Sequence, residues 1–69
     1  MERKHVDSSN IESIGYDSES QTLEIEFLKG SIYQYFDVPQ NVYEEMMVAD
    51  SQGKYLAQNI KGVYRFSKV

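Results

Sequence analysis

Two glutamates stand two positions apart in Thr22–Phe27, a stretch that alternates apolar and polar residues without error. At that spacing Glu24 and Glu26 project from the same face of a β-strand, about 6.5–7 Å apart. Paired carboxylates can act in acid–base catalysis or bind a divalent cation. Alternating glutamates are also the ordinary pattern of the solvent-facing side of a strand, and we favour that interpretation over a catalytic pair.

The remaining side chains argue against an enzyme. His5 is the only histidine and the sequence contains no cysteine, so it offers neither an imidazole cluster nor a thiolate metal site. The four glycines are dispersed along the chain and form no phosphate-binding loop. We therefore predict no catalytic residues, no cofactor and no metal.

Aromatic and basic residues are the types that nucleic-acid binding requires, because aromatic rings stack on bases and cations neutralise phosphates. Six residues of these types are the candidates for nucleic-acid binding: Tyr33, Tyr35, Lys54, Tyr55, Lys61 and Arg65. In this interpretation the two central tyrosines stack on bases and the C-terminal cations hold phosphates. The alternative is that helices cover both tyrosines and that the basic residues are ordinary solvated surface residues.

The chain length of 69 residues allows one small domain, which we place at residues 1–69 with a loosely ordered start at residues 1–7. A hydrophobic content of 41% is too high for a disordered chain. No apolar run reaches the roughly 18 residues of a membrane helix, and the polar residues 1–5 lack the apolar segment of a signal peptide. We expect a protein without membrane contact, located in the cytoplasm.

Charge is distributed unevenly within the net value of −4. Residues 1–53 contain all eleven acidic residues and three of the seven basic ones, for a net of −8. Residues 54–69 contain the other four basic residues and no acidic one, for a net of +4. This distribution permits a local positive patch, but it is unlike the uniformly basic composition of a general nucleic-acid coat.

Hydrophobic periodicity predicts the elements that position these side chains. Strands are expected at 14–16, 22–27 and 32–36, helices at about 39–49 and 52–59, and a last short strand or an extended tail at 63–66. Strands that precede helices rather than alternating with them indicate an α+β fold. The predicted architecture is a three-stranded antiparallel β-meander followed by two short α-helices.

The hairpin between the second and third predicted strands decides where the two tyrosines point. A two-residue loop made of Lys29 and Gly30 is the preferred register, because it keeps the flanking apolar residues on one face. Tyr33 and Tyr35 would then stand on the solvent-facing side of the sheet, beside the glutamates of the preceding strand. Those carboxylates would repel a phosphate backbone, which counts against RNA binding by the tyrosines.

The order and spacing of these segments resemble the KTSC domain, a short family named for the C-terminal region of some lysyl-tRNA synthetases and also found as stand-alone bacterial proteins. The resemblance spans about residues 6–66 and is carried by residues 8–11, 14–17, 23–27, 30, 33–39, 42–43, 53–55, 60–62 and 64. Within it, Tyr33-x-Tyr35 resembles the central Tyr-x-Tyr motif of the family. Val63 stands where another basic residue is expected, which thins the positive patch.

The family has no established activity, and RNA binding is a suggestion attached to it. The resemblance therefore implies a small non-catalytic binding module, with RNA as the first ligand class and with weak, salt-sensitive binding. The alternative is a protein–protein interaction module, or a small regulatory or phage-type protein without nucleic-acid activity, whose acidic body suits a basic protein partner. Met46 and Met47 beside Tyr43 form either an adaptable groove for such a partner or plain core, and the helical spacing favours core.

Overall fold

Five strands form one antiparallel sheet, and a pair of helices lies between the fourth and fifth strands along the chain. The computed structural model describes residues 1–69. The elements are β1 (Arg3–His5), β2 (Ile11–Asp17), β3 (Thr22–Phe27), β4 (Ile32–Tyr35), α1 (Gln40–Met47), α2 (Gln52–Asn59) and β5 (Phe66–Lys68). The sheet order is β1-β2-β3-β4-β5. The predicted α+β class is confirmed, with five strands where the sequence predicted three, or four with the terminal segment.

The first strand lies in a segment for which the sequence predicted only a loose start. β1 pairs with β2, with Arg3 opposite Gly15, and Val6 just after β1 is buried. Gly15 permits this close approach, because a Cβ at that position would lie 2.8 Å from the backbone oxygen of Glu2. The sequence predicted a loosely ordered start at residues 1–7 because no apolar period is visible there, and the structure places β1 within that segment.

The β3–β4 hairpin turns through three residues rather than the two that the sequence predicted. The N–H of Phe27 donates to the carbonyl oxygen of Ser31 at 2.9 Å, and the N–H of Gly30 donates to the carbonyl oxygen of Phe27 at 2.8 Å. Residues 28–30 therefore form the loop. Gly30 has a φ of +98°, in the left-handed region that glycine adopts without strain, and a left-handed last residue is common in three-residue hairpin loops.

The extra loop residue moves both tyrosines to the apolar face of the sheet. Tyr33 lies opposite Ile25 and Tyr35 lies opposite Leu23, and residues opposed in an antiparallel pair project to the same side. The predicted register placed Gln34 opposite Ile25 and left the tyrosines on the solvent-facing side. That register is wrong by one residue, and a shift of one residue exchanges the two faces of a strand.

The core forms between this apolar face and the two helices. Ten buried apolar residues make one cluster: Val6, Ile11, Ile14, Leu23, Ile25, Tyr35, Val38, Met46, Leu56 and Ile60. The Tyr16 ring stacks on the Tyr43 ring with centroids 4.7 Å apart, which joins β2 to α1. Met46 is fully buried, so this part of the methionine stripe is core, as the sequence favoured. Neither helix has the length and apolar character required to cross a membrane.

The opposite face of the sheet carries a polar network around Glu24. The Glu24 carboxylate accepts a hydrogen bond from the Gln34 side chain at 2.8 Å and another from the Arg3 guanidinium. Arg3 Nε also donates to the Ser13 hydroxyl at 2.9 Å, and that hydroxyl donates to Glu26 Oε1 at 2.8 Å. The hydrogen bond from Gln34, together with Arg3, holds the pKa of Glu24 below its ordinary value despite its burial. The two glutamates thus hold β1 to the sheet.

Candidate nucleic-acid interface

Four aromatic rings meet on the apolar face beside the β3–β4 hairpin. The rings of Phe27 and Tyr33 lie nearly perpendicular, with centroids 5.7 Å apart. The Phe66 ring lies 5.8 Å from the Tyr33 ring and 5.9 Å from the Tyr35 ring. The sheet order creates this cluster, because β5 pairs with β4 and places Phe66 directly opposite Tyr35.

The rings differ in how much of each a ligand can reach. Tyr35 is only 3% exposed and belongs to the core, whereas Phe66 is 60% exposed. Phe27 and Tyr33 are half-buried. The accessible stacking surface therefore consists of Phe27, Tyr33 and Phe66. The expectation that Tyr33 and Tyr35 form an open two-ring platform on the solvent-facing side is corrected, since both lie on the apolar face, where Tyr35 is buried and Tyr33 is half-buried.

These rings line a pocket with a volume of about 710 Å³. Its lining residues are Ser9, Asn10, Phe27, Leu28, Lys29, Ser31, Tyr33, Tyr35, Lys61, Gly62 and Phe66. They come from the turn before β2, the β3–β4 hairpin, the segment after α2 and the start of β5. Small-molecule pockets in proteins occupy roughly 300–1,000 Å³, so this one has room for a planar group such as a nucleobase.

The wall of the pocket is positively charged, although the chain as a whole has a net charge of −4. Lys29 and Lys61 line it, and none of the eleven acidic residues does. Nζ of Lys61 lies 5.8 Å from the centroid of the Phe27 ring, which is a cation–π distance. Aromatic faces beside unpaired cations suit a ligand that is flat and carries negative charge, which describes a nucleotide.

Arg65 from the predicted set lies outside the pocket and has a partner of its own. Its Nη2 donates to Asp37 Oδ2 at 2.7 Å, and its guanidinium lies 5.7 Å from the centroid of the Phe36 ring. Asp37, two residues after the end of β4, adopts a positive φ of 59°. This exposed ion pair offsets part of the charge that the sequence assigned to phosphate binding.

Lys54 and Tyr55 lie on α2 and also outside the pocket. The Lys54 backbone N–H donates to the Ser51 hydroxyl at 3.2 Å, which caps the helix. The Tyr55 hydroxyl donates to Glu45 Oε1 at 2.8 Å and ties α2 to α1. Burial, followed by this carboxylate, raises the pKa of Tyr55 to about 12. Of the six predicted residues, the pocket brings together Tyr33, Tyr35 and Lys61.

Several lining residues were not among the predicted ones, namely Asn10, Phe27, Lys29 and Phe66. Lys29 was assigned only to a turn and Phe27 only to the core face of a strand. Phe66 could have been found from the interpretation of residues 63–66 as a last strand, although β5 itself begins at Phe66. A strand added to the meander beside β4 would carry an aromatic residue next to the tyrosines.

Comparison with known proteins agrees with this fold. The KTSC domain family model matches residues 7–64. An uncharacterized protein of Stutzerimonas stutzeri is 40% identical over 70 residues, which cover 100% of this chain and 99% of that protein. A lysine–tRNA ligase of Nostoc punctiforme is 40% identical over 63 residues, which cover 91% of this chain but 11% of the ligase. The crystal structure of a KTSC domain protein from Yersinia pestis matches with a TM-score of 0.93 and 40% identity, over 99% of this chain and 96% of that one. This chain belongs to the KTSC domain family.

Proposed function

We propose that this KTSC domain is a small non-catalytic module that binds single-stranded RNA. A base enters the aromatic pocket and stacks on Phe66 and Tyr33, and the adjoining phosphates lie near Lys29 and Lys61. This proposal keeps RNA as the ligand class but moves the stacking surface from the outer face of the sheet to the pocket. Single-stranded RNA is recognised in proteins by such stacking of unpaired bases on aromatic side chains.

The observation that carries the proposal is the composition of the pocket wall. Four aromatic rings and two lysines line it without a single carboxylate, although the chain has a net charge of −4. A pocket for an uncharged apolar ligand would not need the lysines, and a pocket for a basic ligand would place acidic residues there. The wall therefore favours a planar anionic ligand.

The relatives add support for RNA within that class. Lysine–tRNA ligases of Nostoc punctiforme and Trichormus variabilis contain a region 40–41% identical to this chain. The name of those enzymes states that they act on a tRNA. A domain that is shared with a tRNA-dependent enzyme and has an aromatic, positively charged pocket is consistent with an RNA ligand.

The first test measures the affinity of a fluorescein-labelled single-stranded RNA octamer by fluorescence anisotropy. We expect binding at low salt and a roughly 5- to 150-fold loss of affinity in Phe66→Ala, since stacking on one aromatic ring is worth roughly 1–3 kcal/mol. Phe66 is 60% exposed, so its removal should leave the domain folded, which circular dichroism can check. Absence of binding at low salt, or an affinity unchanged by Phe66→Ala, would overturn the proposal.

The second test compares two exposed lysines that differ in their position relative to the pocket. Lys61 lines the pocket and Lys54 does not. Lys61→Ala should reduce the slope of log affinity against log salt by about 0.7, the value for one phosphate contact on a single strand. Lys54→Ala makes the same change in net charge and should leave that slope nearly unchanged. Equal slopes in the two variants would contradict a phosphate contact at Lys61.

A protein partner is the second candidate function, and one observation favours it. Phe66 and Val69 are each at least 60% exposed and lie in and directly after β5, an edge strand of the sheet. Exposed apolar residues along an unpaired strand edge are typical of β-strand addition. Capture of one protein from a nuclease-treated lysate, lost when Val69 is changed to Asp, would support this function. Capture that depends on intact nucleic acid would count against it.

A further inference from the structure

We infer that the RNA strand crosses β5 as it leaves the pocket, and that Lys68 binds a phosphate there. This inference rests on the proposed RNA binding and adds to it a further phosphate contact, outside the pocket wall. Lys68 is the last residue of β5 and lies directly opposite Tyr33 in the pairing of β4 with β5.

The register places the Lys68 side chain on the same face of the sheet as the aromatic rings. Directly opposed residues of an antiparallel pair project to the same side, and Tyr33 lies on the apolar face. Phe66 and Lys68 are two residues apart on one strand, so they also share that face, about 6.5–7 Å from each other. Ser67 between them lies opposite Gln34, on the polar face. Of the two polar residues in β5, only Lys68 is on the side of the pocket.

The Lys68 ammonium group has no carboxylate partner. The basic members of the chain's ion pairs are Arg3, His5 and Arg65. Every residue of β5 is exposed, and neither β4 nor β5 contains an acidic residue. A lysine that neutralises a phosphate releases counterions from the nucleic acid, and Lys68 can do so without breaking an ion pair.

The backbone at Lys68 presents a free donor beside this ammonium group. The N–H of Val69 donates to the carbonyl oxygen of Ile32 at 2.9 Å, so the backbone of Val69 faces β4. Backbone groups of successive residues point to opposite sides of a strand, and the N–H of Lys68 therefore points away from β4. No strand lies beyond β5 in the sheet order. Backbone N–H groups and lysine side chains both bind phosphate oxygens in nucleic-acid complexes.

Lys61 and Lys68 lie on opposite sides of Tyr33. Nζ of Lys61 lies 5.8 Å from the centroid of the ring of Phe27, a residue of β3. Lys68 belongs to β5, and β4 with Tyr33 separates those two strands, which are therefore about 9–10 Å apart. A nucleotide within a strand has one phosphate on its 5′ side and another on its 3′ side. Cations on both sides of the stacking ring match that arrangement.

The experiment measures how the affinity for the labelled RNA octamer depends on salt, by fluorescence anisotropy, in the wild type and in three variants. Lys68→Ala removes the cation, and Lys54→Ala removes one outside the pocket as a control for net charge. The third variant combines Ser67→Lys with Lys68→Ser, which moves the cation to the polar face without changing composition or net charge. We expect the slope of log affinity against log salt to fall by about 0.7 in Lys68→Ala and in the exchanged variant, and to stay nearly unchanged in Lys54→Ala.

A double variant, Lys61→Ala with Lys68→Ala, tests whether the two lysines bind different phosphates. Its slope should fall by about 1.4, twice the value for one contact on a single strand. A fall no larger than that of the single variants would overturn the path across β5, because both lysines would then share one phosphate.

The outcomes separate this inference from the proposal beneath it. An exchanged variant that keeps the wild-type slope overturns the contact at Lys68, because the charge would then act equally from either face. A slope that Lys68→Ala leaves unchanged also overturns it, and RNA binding with phosphates near Lys29 and Lys61 stays in place. Failure of the wild type to bind the octamer at low salt overturns both. Thermal unfolding checks that each variant is folded, as the exposure of Ser67 and Lys68 leads us to expect.

Discussion

Tyr35 and Gln34 are neighbours on β4 that project to opposite faces, so their replacement by alanine tests the hairpin register directly. Tyr35 is 3% exposed, lies opposite Leu23 and contacts the Phe66 ring. Gln34 is half-buried on the polar face and donates to Glu24 at 2.8 Å. A three-residue loop makes Tyr35 the core residue of the pair, and a two-residue loop would make Gln34 the core residue.

The expected costs differ enough to be ranked. Removing a buried aromatic side chain costs about 3–5 kcal/mol, because apolar contact is lost and a cavity remains. A domain of this length has a total stability of roughly 4–10 kcal/mol, so Tyr35→Ala should remove a third or more of it. Gln34→Ala loses one hydrogen bond to a carboxylate that keeps Arg3 as a partner, at about 1–2 kcal/mol.

Urea unfolding followed by far-ultraviolet circular dichroism measures both variants against the wild type. Tyr35→Phe keeps the ring and serves as the control, with an expected cost well below that of Tyr35→Ala. If Tyr35→Ala has no folded baseline, Tyr35→Leu gives an intermediate and measurable loss. The reasoning would be refuted by a Gln34→Ala variant less stable than Tyr35→Ala, since that order belongs to the two-residue loop.

Two further predictions concern stability against pH. The folded-state pKa of Glu24 lies below its ordinary 4.5, so its contribution to the free energy of unfolding is complete above about pH 4.5 and is lost as the pH falls through the lower folded value. Glu24→Gln should therefore flatten the loss of stability in acid, measured as a pH series of urea midpoints. An unchanged loss in the variant would contradict this role of Glu24. The pKa of Tyr55 is raised from 10.0 to about 12, so its contribution to the free energy of unfolding is complete below pH 10 and is lost towards pH 12. Tyr55→Phe should remove the last tyrosine to ionise in an ultraviolet titration. Loss of an earlier ionisation step instead would argue against the contact with Glu45.

Hydrophobic periodicity was sufficient to predict the elements whose residues alternate or repeat at helical spacing. The alternation of Thr22–Phe27 and the helical spacing before and after Gly53 gave the positions of β3, α1 and α2 closely. The sequence did not predict β1, because nothing in the residues of that strand indicates a strand. Its position depends on Arg3 reaching Ser13 and Glu24, ten and twenty-one residues away, and hydrophobic periodicity is insensitive to such contacts.

The register of β3 against β4, and with it the pocket, depends on whether the loop between the two strands has two or three residues. The segment after Gly30 alternates aromatic and other residues in a way that either loop satisfies, since both faces of β4 then carry at least one apolar side chain. The choice is made by the hydrogen bonds that close the loop and by the packing of β3 against the helices. The pocket residues come from four separate segments, so they could be grouped only after the sheet order was known.

The corrected register also removes the main physical objection to RNA binding. In the predicted hairpin the tyrosines shared a face with Glu24 and Glu26, whose charges would have repelled phosphate. In the observed hairpin those carboxylates lie on the other side of the sheet, where Arg3 pairs with Glu24 and offsets part of their charge. The acidic residues of this part of the sheet therefore serve to hold β1, and the apolar face keeps a pocket without carboxylates next to Lys61. The same shift that buries Tyr35 thus leaves Phe66 and Tyr33 in a setting that suits an anionic ligand better than the outer face would.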